Sequence, residues 1–170
     1  LHDGVPLVVS VARELQPIAG NITVVGSRDD EYDDLGLRTI GDIVPGLGPL
    51  GGLVTALEDA VSGWLLLCAC DWIGLNREWV EPLLGHRGGE CGAVVYHSDR
   101  YEPMLGLYHT SLADTVRELL DSGDRSMQTL LGRVGAAALP VPPDWGRAHN
   151  LNHPPSRDER KKTNEDDTIS

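Results

Sequence analysis

The sequence predicts a layered α/β domain with a binding crevice at one edge of its sheet. Three observations carry this. Apolar runs rich in β-branched residues alternate with stretches in which apolar residues recur at helical spacing. At 170 residues and 41% hydrophobic content the chain can build one sizeable core. One apolar run, Trp64 to Cys70, ends abruptly in a carboxylate, Asp71. In α/β sheets ligands bind beyond the carboxyl ends of the strands, so Asp71 is placed to face a crevice.

The elements follow in order. Pro6 before LVVSVAREL predicts a helix over Leu7 to Leu15, with proline at the first turn. NITVVGS, from Asn21 to Ser27, reads as a short buried strand, and RDDEYDD as a solvated acidic loop. LRTIGD, Leu37 to Asp42, is a second strand. VPGLGPLGG, Val44 to Gly52, is a glycine-rich connection into a helix striped by Leu53, Ala56, Leu57 and Ala60. WLLLCAC has the continuous apolarity of a central parallel strand. Asn76 is a candidate N-cap for NREWVEPLLGH. GAVVYHS and EPMLGLYH are two strands across a polar turn, either a hairpin or neighbours in a mixed sheet. SLADTVRELLDSG and DRSMQTLLGRVG are helices, the first stopped by glycine. AAALPVP reads as the last strand. Residues 1–153 form the expected domain and 154–170 a disordered polar tail. The chain starts at Leu1, inside a patterned stretch, which predicts that this domain is N-terminally incomplete.

The formal net charge of −12 argues against non-specific binding to nucleic acid or to an anionic membrane. No apolar run reaches the length of a membrane span, so a cytoplasmic location is expected. Cys68, Cys70 and Cys91 lack the spacing of a zinc site, and Cys68 and Cys70 share one face as small core residues. The six histidines show no ligand pattern. Ser10, Ser98 and Ser126 lie outside any nucleophile elbow. The four tryptophans read as packing residues, because no basic groove accompanies them.

Four stretches carry candidate chemistry, each with a plainer alternative. Asp71 is either a ligand for Mg²⁺ bridging phosphates or a turn residue before the next helix. Gly48, Pro49, Leu50, Gly51 and Gly52 either let the backbone approach a nucleotide at a helix N-terminus or simply join a strand to a helix. They do not spell the G-x-x-x-x-G-K-[ST] phosphate loop. Asn150 and Asn152 would point the same way from an extended segment and hold a polar ring or phosphate, or they form a turn before His153-Pro154. Asp42 accepts hydrogen bonds from a ribose or base, or turns the chain.

Taken in order, these stretches resemble the molybdenum cofactor guanylyltransferases, within the nucleotidyltransferase superfamily. The resemblance rests on DGVPL, VPGLGPLGGLVTAL, CDWIGL, EPMLGLY, GDRSMQTLLGRVG and NLNHP. It implies a Rossmann-like three-layer α/β/α nucleotidyltransferase domain with a mostly parallel mixed sheet, its first strand missing. It implies transfer of GMP from GTP to the terminal phosphate of molybdopterin, with release of pyrophosphate. Asp71 would then hold Mg²⁺. Asp42, Gly48, Pro49, Leu50 and Gly51 would lie against the nucleotide, and Asn150 and Asn152 near the pterin or its phosphate. Molybdoenzymes or their chaperones would be further partners. Two departures stand out. The family opens with a strand and a glycine-rich loop bearing Arg and Lys, and these 170 residues contain no such loop. The proline of the family's Asp-x-Pro pattern is also missing, with Trp72 and Ile73 in the two positions after Asp71. The expectation is therefore a chain that is inactive by itself. The alternatives are a degenerate family member that acts as a binding protein, or a transferase using CTP or a sugar phosphate.

Overall fold

A computed structural model describes residues 4–88, 91–147 and 149–150. Its elements are α1 (Leu7–Leu15), β1 (Thr23–Gly26), β2 (Arg38–Gly41), α2 (Gly48–Asp59), β3 (Trp64–Cys68), β4 (Trp72–Ile73), α3 (Val80–Gly85), β5 (Ala93–His97), β6 (Tyr101–His109), α4 (Ala113–Asp121), α5 (Met127–Arg133), β7 (Ala137–Pro140) and β8 (His149–Asn150). The expected helix over Leu7 to Leu15 forms with those bounds, and Asn76 caps the turn ahead of α3 by accepting from the Glu78 N–H at 3.0 Å.

The main sheet has the order β3-β6-β5-β7. β6 runs antiparallel to both β3 and β5, and β7 is parallel to β5. Three of these four strands thus share a direction, with β6 as the exception. β5 and β6 form the hairpin, with an irregularity at Val95/Tyr96. Side chains alternate across the sheet, as the two-residue period of a strand requires. Leu65, Leu67, Ala93, Val95 and Tyr108 face α2, α4 and α5. Leu66, Cys68, Val94, Tyr96, Leu105 and Leu107 face α1 and α3. This is the three-layer α/β/α arrangement.

Four readings of the sequence are corrected. WLLLCAC does not pair parallel with its described neighbour: β3 runs antiparallel to β6, its one ladder partner among the described residues, and all five of its residues are only half-buried. β1 and β2 form a separate parallel pair. α2 packs against both pieces: Leu53 and Leu57 share a cluster with Leu65 and Leu67, while a Cβ on Gly52 would meet Val25 Cγ1 at 4.0 Å. Second, the strand ends at Cys68, so Cys70 sits in the following turn, exposed, and is not a core residue. Third, the glycine-rich connection is shorter than it reads. α2 already begins at Gly48, because proline is tolerated in the first turn, where its missing N–H would have no partner. Fourth, β7 is not the last strand, since β8 follows and pairs with β4. The expected tail, 154–170, lies outside the described residues.

Leu53 is fully buried in the cluster that joins α2 to the sheet. Leu53→Ala is expected to lower stability by about 2–5 kcal/mol in equilibrium denaturation. A loss well under 1 kcal/mol would contradict this packing.

Candidate functional site

Asp71 lies half-buried in the turn between β3 and β4. The turn is held from several sides. The Ala69 N–H donates to the Met104 carbonyl at 2.9 Å, extending the β3–β6 ladder by one residue. The Trp72 indole Nε1 donates to the same carbonyl at 3.3 Å. Behind it, Trp72, Trp79 and Trp145 pack edge-on or tilted, with ring centroids 5.0 to 6.2 Å apart. Asp144 ties this group down. It accepts from Trp79 Nε1 at 2.9 Å and from Asn76 Nδ2 at 3.4 Å. The tryptophans are thus packing residues, and they fix the exit of the turn.

β8 delivers the C-terminal candidate to the same place. Asn150 pairs antiparallel with Trp72, the residue after Asp71, and His149 pairs with Ile73. Only the backbone of these two residues is described, and Asn152 lies outside the described residues. A small cavity of about 170 Å³ opens beside this turn, lined by Leu7, Val11, Glu14 and residues Trp72 to Leu75.

The second half of the site follows β2. Asp42 comes directly after the strand and its N–H donates to the Gly26 carbonyl at 2.9 Å. Asp42 Oδ1 accepts from the Val44 N–H and from the Thr55 hydroxyl, both at 3.0 Å. The loop then turns through Gly46 and Gly48, at φ 81° and 66°, a region that side chains with a Cβ rarely enter. Pro49 and Leu50 open α2. The N-cap residue of α2, Leu47, offers no side-chain cap, and among the described residues no side chain bonds the first amides of the helix, which water or a ligand can satisfy. Gly51 has no spare room. A Cβ there would lie 3.0 Å from the Val44 carbonyl and 3.5 Å from Asp42 Oδ2.

The two halves lie on one edge. Tyr32, in the loop that follows β1, is within electrostatic reach of Cys70, beside Asp71. The Tyr32 phenol is pushed up by burial, then by the nearby Glu31 and Cys70. Burial pushes the Cys68 thiol up to about 12, with Cys70 and Asp71 adding to it. The Cys70 thiol is also raised, by the protein packed around its sulfur and then by the Asp71 charge, although the residue as a whole is exposed. A residue that the sequence reading missed also reaches this edge. Arg125 donates from Nη1 to the Gly46 carbonyl at 3.5 Å. It is held by a local turn in which the Ser126 N–H donates to Asp124 Oδ1, and Ser126 caps α5. The Asp-Arg-Ser sequence ahead of a helical stripe was the signal that could have found it.

Among the described residues no three His, Cys, Asp or Glu side chains gather to hold a metal. One half-buried carboxylate can serve a cation that arrives with phosphate ligands, since magnesium commonly takes only one or two protein carboxylates. Among the described residues no helix is long and apolar enough to cross a membrane.

The fold and this edge define a Rossmann-like domain of the nucleotidyltransferase type. Comparison with known proteins sharpens that class. A family model, the MobA-like NTP transferase domain, matches residues 1–138. The chain is 30% identical over 151 residues to a molybdenum cofactor guanylyltransferase of Serratia proteamaculans, which covers 88% of this chain and 77% of the relative. A crystal structure of molybdopterin-guanine dinucleotide biosynthesis protein A from Archaeoglobus fulgidus superposes with a TM-score of 0.66 at 26% identity, over 79% of this chain and 70% of that one. A structure from Aquifex aeolicus shares the fold at a TM-score of 0.78 and 19% identity, over 87% of this chain and 80% of that one. The chain belongs to the MobA-like NTP transferase domain family.

Two tests address this geometry. The thiolate is the reactive form of cysteine, so the exposed Cys70 is expected to be alkylated by iodoacetamide at pH 8 well before Cys68, read by peptide mass. Equal labelling of both in the folded chain would contradict the strand's end at Cys68. Asp144→Ala leaves the Trp79 N–H without its acceptor and is expected to cost about 1–3 kcal/mol in denaturation. An unchanged midpoint would contradict the anchoring role.

Proposed function

We propose that the domain transfers GMP from GTP to the terminal phosphate of molybdopterin, forming the guanine dinucleotide cofactor. The single observation that carries this is the paired edge: Asp71 with the backbone of Asn150 on one side, and Asp42 with the opening of α2 on the other. Family membership and the names of the relatives support the reading.

In this transfer an oxygen of the molybdopterin phosphate attacks the α-phosphorus of GTP. The bond from the α-phosphorus to the bridging oxygen breaks, and pyrophosphate leaves with that oxygen. No protein nucleophile is required, so the work is positioning and charge neutralisation. Asp42 offers Oδ2 to donors on the base or ribose. Gly48, Pro49, Leu50 and Gly51 bring the α2 backbone close to the nucleotide, and helix N-terminal amides favour its negative charge. Asn150 and Asn152 hold the pterin or its phosphate. Asp71 is the carboxylate that would hold a divalent cation, Mg²⁺ on this reading, which when bound neutralises phosphate charge. Molybdoenzymes or their chaperones are the proposed recipients of the product, in the cytoplasm.

The 170 residues by themselves are proposed to turn over negligibly. They contain no glycine-rich loop with Arg and Lys, and they carry a net charge of −12 against a polyanionic substrate. β1 and β3 each have one strand edge without a ladder partner among the described residues, while α2 packs on both. We propose that the domain is N-terminally incomplete, with a segment ahead of Leu1 supplying the strand between them. α1 leads into β1, and a parallel crossover joins a helix to strands on both of its sides.

The test is a thermal-shift and turnover series. GTP with Mg²⁺ is expected to raise the midpoint of the chain and CTP to leave it in place, with the shift lost in Asp71→Asn. Turnover with GTP and molybdopterin is expected only from a longer form carrying the upstream segment. A CTP shift without a GTP shift would contradict the base assignment. Turnover by the 170 residues alone would contradict the proposed incompleteness.

A further inference from the structure

Thr55 is one of few buried polar residues among those described, 3% exposed on the inner face of α2. Its hydroxyl sits where three parts of the chain meet. Oγ1 lies 3.0 Å from Asp42 Oδ1 and 3.1 Å from the Gly51 carbonyl, and it accepts from the Ile43 N–H at 3.1 Å. A hydroxyl has a single proton to give. The charged carboxylate is the stronger acceptor, and the Gly51 carbonyl already has the helix ladder. The proton therefore goes to Asp42, while a lone pair takes the Ile43 N–H.

The consequence falls on Asp42. Oδ1 receives two donors from the chain, the Val44 N–H and the Thr55 hydroxyl. Oδ2 takes no hydrogen bond among the described residues and faces the tight approach at Gly51, 3.5 Å from where a Cβ would stand. The carboxylate is thus held with one oxygen turned inward and the other toward the opening of α2.

We infer that Thr55 is a positioning residue for nucleotide recognition, acting through Asp42: it fixes the carboxylate so that Oδ2 meets hydrogen-bond donors of the bound nucleoside. This rests on the proposed reading of the 42–51 loop as the nucleotide side of the site. Thr55 touches no ligand itself. The same bonds tie β2 to α2, so a loss of stability alone would not distinguish positioning from packing.

The experiment is a double-mutant cycle on binding of GTP with Mg²⁺, by isothermal titration calorimetry below the melting point of every variant. Thr55→Val keeps shape and removes the hydroxyl. It is expected to weaken GTP about tenfold, the scale of one lost hydrogen bond to a charged group. Thr55→Ser restores the hydroxyl and is expected to bind within about threefold of the parent. In an Asp42→Asn background, adding Thr55→Val is expected to change affinity little further, because residues acting as one unit are not additive. If Thr55→Val binds like the parent, or if its effect adds in full to Asp42→Asn, the inference is overturned. If the parent shows no saturable GTP binding, the reading of the loop falls and takes the inference with it. The parent's own titration separates these two failures.

Discussion

The Asp71 half of the candidate site depends on how β6 is paired. It is the one strand of the main sheet that runs against the others, and it carries β3 on one side and β5 on the other. Gly106 stands opposite Leu67 in β3 and Val95 in β5. A Cβ there would stand 2.7 Å from Val95 Cγ1 and 3.1 Å from the Val94 carbonyl, so a larger residue would force the strands to shift. The register set there runs on to the Ala69 amide and the Met104 carbonyl, which also receives the Trp72 indole. Asp71 stands between those two anchored residues. Its position is therefore inherited from sheet pairing and does not depend on loop conformation alone.

The two halves of the site are built differently. The Asp71 side is braced by bulk, with three indoles and the Asp144 carboxylate behind the turn. The Asp42 side is braced by hydrogen bonds at a place where glycine leaves no side chain to pack. The first arrangement gives a rigid post for a carboxylate. The second lets backbone come close to a ligand while one aspartate oxygen stays committed to the fold. That division suits a reaction in which positioning does most of the work.

Local pattern revealed the elements well because helix stripes and capping residues are local signals. α1 and the Asn76 cap follow from spacing or turn chemistry, while the β5–β6 hairpin is one of two pairings that the short polar turn left open. Pairing was less legible. WLLLCAC has the composition of a strand buried on both faces and both edges, yet composition does not say what lies beside a strand, and here one side is open among the described residues. The same limit hid β8, two residues long and defined only by its pairing with β4. At the site, Asp71, Asp42 and the glycines stood out by their places at the ends of apolar runs and by the family resemblance, although each pattern alone also fits a turn. Thr55 and Arg125 did not. One is a single hydroxyl on an apolar helix face and the other a surface arginine, and only tertiary contact brings them to the loop.

The central claim is that one nucleotide spans both halves of this edge. The most direct measurement is amide hydrogen exchange with and without GTP and Mg²⁺. The account predicts slowed exchange in two separate stretches, 42–52 and 69–76, appearing together at the same ligand concentration. A cavity of about 340 Å³ lies at the start of β3, lined by Trp64, His109 and Ser111 among others. Protection centred there, with both predicted stretches unchanged, would contradict the account.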